Sequence, residues 1–416
     1  MTILQRLIPS LLVLVLAANA TPVPAQTPAR KPGTKAPAKV PAKQQAAAAR
    51  PRRFPAVDLA IDAGIRRGLY PGAVVVIGQH ARILYQKGYG HFTWSRKSAV
   101  PSPKNTLWDL ASVSKVVGTM GAAIRLVDQG MLDLDAPVSR YVPAFSGAEK
   151  DQVTVRMLLN HTSGLRPYIP FFRATASRQE AESQLLADPL RRPPGQSAEY
   201  SDLNAILLGL VLERVAGEPL DSVVAHQVTE PLRMQQTFYR PSPTLLTRIA
   251  PSSSYKHQPI AGIPNDQNAI VFGGAAGHAG LFSTGRDLAL FAQAWLRLGS
   301  APAGEWVREE TMRRFLSPGT NSGTRLLGWD SPDTSAEGAT AFGDLLSPAA
   351  YGHTGWTGTQ IWIDPSRDLY LIFLTNRSFD PRRSHSIAEL RGVRSRLSDA
   401  VARIAPERCT AIVASC

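Results

Sequence analysis

The stretch "TGTQIWIDPSRDLYLIFLTN" (Thr357–Asn376) holds two runs rich in β-branched and aromatic residues, parted by "DPSRD" (Asp364–Asp368). Pro365 has no backbone donor and a fixed φ, so neither run continues through it. Two such runs joined by a turn signal read as an antiparallel hairpin. Near the other end of the chain, "GAVVVIGQHARILYQKGYGHF" (Gly72–Phe92) reads as two more short strands.

What lies between is helical in pattern. From about residue 104 to 315, apolar residues recur at helical spacing and are broken by Pro and Gly. Asp202–Val215 ("DLNAILLGLVLERV") is one helix, which Asp202 can cap and Gly217 can stop. Asp287–Leu298 is another, and Thr284 with Asp287 has the spacing of a capping box. Val57, Ile61 and Ile65 mark a helix ahead of the first strands, and a last helix spans Ser386–Ile404. Strands at both ends with helices between imply an α+β fold. One antiparallel sheet is built from both chain ends, with flanking helices and an inserted, mainly helical subdomain facing it. The cleft is expected between the two parts.

The 416 residues, 44% of them hydrophobic, can bury a sizeable core. The formal net charge of +14 suggests nucleic acid only until its distribution is read. Residues 1–53 hold nine of the 46 basic residues and no acidic one, leaving 37 basic against 32 acidic in the remainder. That balance is ordinary for an enzyme, and no basic stripe interleaved with aromatics marks a nucleic-acid platform.

Arg6 followed by "LIPSLLVLVLAA" (Leu7–Ala18) and then by small residues reads as a cleavable signal peptide over residues 1–25. The expected location is therefore the bacterial periplasm or the exterior. Residues 26–53 are Pro, Ala and Lys with little apolar bulk and read as a disordered basic linker. It is either a spacer or a segment in weak contact with an anionic envelope surface. The folded region is expected over 54–407. The tail 408–416 carries Cys409 and Cys416, either paired in a small loop or free, and the oligomeric state is left open.

The chemistry gathers around "WDLASVSKVVGTMGAAIRLVDQG" (Trp108–Gly130). Ser112 and Lys115 stand at i and i+3 where a helix begins, so they share a face. The free amides of a first turn favour negative charge in front of it. For Lys115 to take the serine proton, its pKa would have to fall from about 10.4 toward neutrality, roughly 4 kcal/mol of environment. Ser114 has no lysine at useful spacing and points away. Tyr200 sits in a loop just before Asp202, and His353, Thr354 and Gly355 open a late strand flanked by Gly352 and Gly358. Glycines there let a backbone approach a ligand closely.

Ser-x-x-Lys, then Tyr-x-Asp, then His-Thr-Gly on a late strand resembles the penicillin-recognising serine hydrolases. The likeness is to the class C β-lactamase type, with its D-alanyl-D-alanine carboxypeptidase and esterase relatives. "LLNHTSGL" (Leu158–Leu165), "GHAGLFST" (Gly277–Thr284) and "GHTGWTGTQIWIDPSRDLYLIFLTNR" (Gly352–Arg377) carry it further, over about residues 55–405. The resemblance implies Ser112 as the acylated nucleophile, Lys115 as its activator and Tyr200 as partner base. It implies an oxyanion hole from the backbone N–H groups of Ser112 and Trp356. Asp202, His353, Thr354 and Gly355 would contact substrate, a small-molecule or peptidoglycan-derived acyl donor. The family needs no metal or cofactor, and the eight histidines show no zinc-binding spacing.

Two positions depart from the family pattern. Asp202 stands where Asn is common, and it can pair with Lys115 but cannot donate an amide hydrogen bond. His353 stands where Lys is common and is mostly neutral at pH 7. Both changes favour an esterase or amidase over an efficient β-lactamase, with a cell-wall peptidase open. His278 of "GHAGLFST" is either a loop histidine or one that reaches the cleft. A Ser-His-Asp hydrolase is disfavoured because the chain has no Gly-x-Ser-x-Gly elbow. The alternative is a catalytically slow penicillin- or peptidoglycan-binding module, free to lose Ser112, Lys115 or Tyr200; all three are present.

Overall fold

A computed structural model describes residues 54–405 apart from 81, 257, 334–339 and 381–385. The expected signal peptide, the basic linker and the cysteine tail lie outside the described residues. Five strands form the main sheet: β1 (Gly72–Gln79), β2 (Arg82–Gly90), β3 (Tyr351–Thr354), β4 (Gln360–Asp364) and β5 (Leu369–Thr375). Their spatial order is β3-β4-β5-β1-β2, and every neighbouring pair is antiparallel. The two chain ends meet where β1 lies against β5, with Ala73 opposite Thr375 and Gln79 opposite Leu369. β4 and β5 form the expected hairpin, turned through Pro365–Arg367 with Asp368 left-handed at φ 50°.

β1 is apolar on both faces because both are covered. Ala73, Val75 and Ile77 pack under α1 (Pro55–Arg66) and the C-terminal helix, through Val57, Ile61, Leu390, Val393 and Leu397. Val74 and Val76 face the larger core with Ile372 and Leu374, beneath the helix Gly285–Leu296 and its Phe291. On that side lie α2 (Gly121–Asp128), α3 (Asp202–Ala216), α4 (Gly285–Leu296) and, across the sheet, α5 (Ile387–Ala402) closes the other layer. Leu203 through Leu212 of α3 are all buried, as suits a helix that is apolar all round.

Helix ends show where sequence expectations hold and where neighbours overrule them. Gly217 stops α3 in the left-handed conformation, φ 72°. The cap of α3 is Ser201, not Asp202: the Ser201 Oγ accepts from Leu203 N at 3.1 Å and Asn204 N at 3.4 Å. That leaves the Asp202 carboxylate free to point elsewhere. Thr284 caps α4, but Asp287 does not complete a capping box. Its carboxylate accepts instead from Gln236 N at 2.6 Å and Thr237 Oγ1 at 3.0 Å. A full box occurs at α5, where Ser386 and Glu389 cap one another's backbone amides.

A second sheet was not legible as strands. Leu281–Ser283 lies between Trp108–Asp109 and Phe238–Tyr239, antiparallel to both. Segments this short carry no periodicity, yet they anchor the residues that precede Ser112.

Candidate active site

The chain leaves Trp108–Asp109, passes Leu110 and turns at Ala111, which is left-handed at φ 46°. Ser112 follows immediately. Val113 N donates to Leu110 O and Lys115 N to Ser112 O, both at 3.1 Å, so the first turn is tight. Lys115–Met120 then continues as a π-helical turn into α2, a distortion that recurs at functional sites.

Lys115 is buried, and its Nζ lies within 3.0 Å of three oxygens, Ser112 Oγ at 2.9 Å, His278 O at 3.0 Å and Asp202 Oδ1 at 2.8 Å, with the Tyr200 side chain as a further hydrogen-bond partner. An ammonium has three donors and no acceptor, so three acceptors around it suit the charged form. Burial alone would lower its pKa, but the Asp202 carboxylate and Tyr200 outweigh burial and hold it above the ordinary lysine value. The condition set by the sequence for Lys115 to take the serine proton, a pKa depressed toward neutrality, runs against the direction of this shift. In the resting state Lys115 donates to the serine oxygen.

Ser114 is structural, as its position suggested: it is buried and its Oγ accepts from Leu281 N at 3.2 Å. His278 is also buried, with Nε2 3.1 Å from Asp266 Oδ1. It meets the site through its carbonyl on Lys115 rather than through its ring.

Tyr200 lies among rings and cations. Its ring centroid is 4.8 Å from that of His161 and 5.8 Å from that of His353. Lys115 Nζ and the Arg325 guanidinium each stand 5.1 Å from that centroid. His161 comes from "NHTSGL" and adopts φ 62°. Its Nδ1 accepts Ser201 N–H at 3.2 Å and lies 3.1 Å from Asn204 Nδ2, which ties this ring to the start of α3. Burial, then the charges of Arg325 and Lys115, push His161 well below the usual histidine value, so it is neutral.

β3 forms the opposite wall. His353 lies opposite Ile361 and Thr354 opposite Gln360. His353 is buried, and its Nδ1 donates to Thr354 O at 2.8 Å. Burial and the nearby cations Arg325 and Lys115 hold it well below its ordinary pKa, so it is uncharged. Gly355 is required by space: a Cβ there would sit 2.5 Å from Leu110 O, so only glycine lets this turn lie against the segment before Ser112. Trp356 is more than half exposed, with the Arg377 guanidinium 4.7 Å from its ring. Among the described residues, the backbone N–H groups of Ser112 and Trp356 have no protein acceptor.

Ser112, Tyr200, His353, Thr354, Gly355 and Trp356 thus line one cleft of about 570 Å³, with Lys115 and Asp202 standing behind Ser112. Among the cleft residues that the sequence reading does not mark are the charged Arg325, Arg391 and Arg394, with Asp330 and Asp333. Arg394, buried on α5, donates from Nη2 to Gly355 O and Thr359 O at 2.9 Å each. Burial, then repulsion from Arg377 and Arg391, lowers its pKa to about 9. The cleft therefore holds three guanidinium groups against the carboxylates of Asp330 and Asp333, the former paired with Arg325, so its cations come from arginine and not from His353. The i, i+3 spacing of Arg391 and Arg394 on α5 was visible, but it looks like a solvated helix face. His161 sat inside a quoted motif without being marked.

Comparison with known proteins identifies the family and the fold. The Beta-lactamase family model matches residues 57–393. An N-acetylmuramyl-L-alanine amidase of Bacillus subtilis (strain 168) is 32% identical over 364 residues, covering 79% of this chain and 82% of that protein. A protein of Escherichia coli (strain K12), provisionally named a D-alanyl-D-alanine carboxypeptidase, is 30% identical over 350 residues, with 75% of this chain and 80% of that one covered. Among solved structures, EstCE1, a hydrolase with promiscuous acyltransferase activity, superposes with a TM-score of 0.66 at 24% identity. That match covers 84% of this chain and 98% of EstCE1. A class C β-lactamase mutant superposes with a TM-score of 0.67 at 19% identity, covering 83% and 96%. The match across the folded region makes this chain a member of the Beta-lactamase family, a hydrolase with the β-lactamase/transpeptidase-like fold.

Proposed function

We propose that the protein is an exported serine hydrolase that forms an acyl-enzyme on Ser112, and that its ester or amide substrate carries a carboxylate. The observation that carries this reading is the triangle of Lys115 Nζ with Ser112 Oγ and Asp202 Oδ1, at 2.9 and 2.8 Å, opening onto a cleft bordered by arginines. The charged Lys115 stabilises negative charge as it grows on the Ser112 oxygen. As Oγ bonds to the acyl carbon, its proton passes to the Tyr200 oxygen, and Tyr200 hands its own phenolic proton on to the leaving-group oxygen or nitrogen. Lys115 and Arg325, on either hand of the ring, stabilise charge developing on that oxygen in transfer. The carbonyl electrons move to an oxyanion held by the Ser112 and Trp356 amides. Collapse breaks the bond to the group protonated through Tyr200 and expels it as the alcohol or amine. Water then repeats the sequence on the acyl-enzyme and releases the acid.

The substrate side follows from charge. His353 is neutral and buried, so the anion anchor falls to Arg325, Arg391 and Arg394. A peptidoglycan stem peptide has such a carboxylate beside its scissile bond. The B. subtilis and E. coli relatives are named for cell-wall amide bonds, which supports the same class. Export rests on the leading apolar run of the sequence.

The test is intact-protein mass after incubation with a fluorophosphonate and, separately, a penicillin. Stoichiometric adducts on wild type that vanish in Ser112→Ala support the acyl-enzyme. A long-lived penicillin adduct favours the cell-wall reading, whereas fluorophosphonate labelling alone favours an ester substrate. No adduct with either reagent on folded protein overturns the proposal in favour of a non-catalytic binding module.

A further inference from the structure

Asp109 is buried three residues before Ser112 and has no part in the bond-making steps above. Both oxygens of its carboxylate accept from backbone amides: Oδ1 from Ala111 N at 2.9 Å and Oδ2 from Asn265 N at 2.7 Å. Its main-chain carbonyl accepts from Thr357 Oγ1 at 2.8 Å, and the next carbonyl, Leu110 O, accepts from Thr359 Oγ1 at 2.8 Å. Leu110 N in turn donates to Leu281 O at 3.0 Å. Thr357 directly follows Trp356, and its own carbonyl accepts from Thr375 Oγ1 and Arg377 N, each at 2.9 Å. Residues 109–111 therefore form a strap between two fixed bodies. One end holds the left-handed Ala111, a conformation alanine keeps only when its surroundings impose it. The other end is bonded to the turn that carries the Trp356 amide.

We propose that Asp109 is a positioning residue that sets the spacing between the two oxyanion-hole amides, Ser112 N–H and Trp356 N–H. The inference rests on the acyl-enzyme reading given above. Those two amides belong to segments far apart in the chain, and no single secondary-structure element fixes their separation. The bonds of Asp109 do so from both sides, by turning Ala111 and by receiving Thr357. Loss of one oxyanion donor typically costs a hundredfold or more in kcat, so a displaced donor is expected to cost about tenfold.

Asp109→Asn tests this with little change of volume. Asparagine keeps one acceptor but turns an NH₂ toward a backbone N–H, so one of the two carboxylate bonds is lost. Each protein is titrated for active Ser112 with a fluorophosphonate. Then kcat and KM are measured with a p-nitrophenyl ester, and Ki with a phenylboronic acid, whose tetrahedral adduct places an oxygen in the hole. The expected result is an unchanged titre and a KM within twofold, with kcat per titrated site and boronate affinity both falling about tenfold. Thr357→Val, which removes only the hydroxyl, shifts both in the same direction by less, and Thr357→Ser restores them. Should Asp109→Asn fail to fold, Asp109→Ser, which keeps an acceptor for Ala111 N and loses the bond to Asn265 N, takes its place with the same readouts. Values of kcat and boronate affinity within twofold of wild type overturn the proposal, as does a lowered titre with normal kcat per labelled site. Wild type that takes up no fluorophosphonate, or label that persists in Ser112→Ala, would show instead that the acyl-enzyme reading itself has failed.

Discussion

Lys115 Nζ lies 2.8 Å from Asp202 Oδ1, and this ion pair fixes the charge state of the cleft. Burial works against the ammonium, while the carboxylate beside it keeps the Lys115 pKa above the ordinary lysine value. A raised folded-state value means that the pair's stabilisation is fully present below the unfolded lysine pKa and is lost only as pH rises through the folded one. In Asp202→Asn the burial term acts unopposed and Lys115 becomes easier to deprotonate. The alkaline limb of kcat/KM should then move to lower pH. Stability at neutral pH should fall by about 3–5 kcal/mol, because a buried charge loses its partner. A pH–rate profile and a urea titration of the two proteins check both signs. An alkaline limb that stays in place would remove Lys115 from the chemistry.

Tyr200→Phe should separate proton transfer from architecture. The ring contacts with His161 and His353 survive the change, since neither depends on the hydroxyl. We expect kcat/KM to fall about 10²–10⁴-fold, the usual worth of a general acid–base group, with Tm shifted by only a few degrees. Stopped-flow acylation and differential scanning fluorimetry supply the two readings. A loss confined to Tm would mark Tyr200 as a core tyrosine.

Asp109 sets stability and activity against each other. Burial raises its carboxyl pKa to about 6, despite the lowering effect of the Asn265 and Ala111 amides. With the folded value above the unfolded one, the group's stabilising contribution is present at low pH and is lost as pH rises through about 6. A shift of roughly two units corresponds to about 3 kcal/mol. The stability of wild type relative to Asp109→Asn should therefore decrease between pH 4 and pH 7, as measured by denaturant unfolding at each pH. Activity has the opposite sign, since protonation turns one carboxylate oxygen into a hydroxyl and so costs one of the two amide bonds. A flat stability difference across this range would show that Asp109 does not titrate there.

The sequence carried the outline of this site because its chemistry is local in pattern. Ser112 and Lys115 share a turn, and the strands β4 and β5 are long enough to declare themselves through Ile361, Trp362, Leu371 and Phe373. Both chain ends could be assigned to one sheet for the same reason. What stayed hidden depends on partners distant in sequence. The i, i+3 spacing of Ser112 and Lys115 says nothing of Asp202, whose freedom to reach the lysine depends on Ser201 taking the cap. The capping box drawn from Thr284 and Asp287 fails because Gln236 and Thr237 claim the carboxylate. Asp109 lies in a two-residue strand that no periodicity reveals.

The arginines give the last prediction, which concerns selectivity. Arg391 is exposed on α5 at the edge of the cleft, and Arg325 stands over Tyr200 with its ion-pair partner Asp330 at 3.5 Å. His353 opposite them is neutral. An acyl donor with a free carboxylate should therefore lose affinity in Arg391→Ala, while its methyl ester, identical in shape but uncharged, should not. One charge-assisted hydrogen bond is worth about 1.5–3 kcal/mol, so KM for the carboxylate form should rise about tenfold or more. The discrimination should weaken at high salt, because Arg391 is exposed and screened. Steady-state kinetics on the matched pair, at low and high ionic strength, decide the point. Equal losses for both substrates would make Arg391 a packing residue of α5 and shift the anion anchor to the buried Arg394.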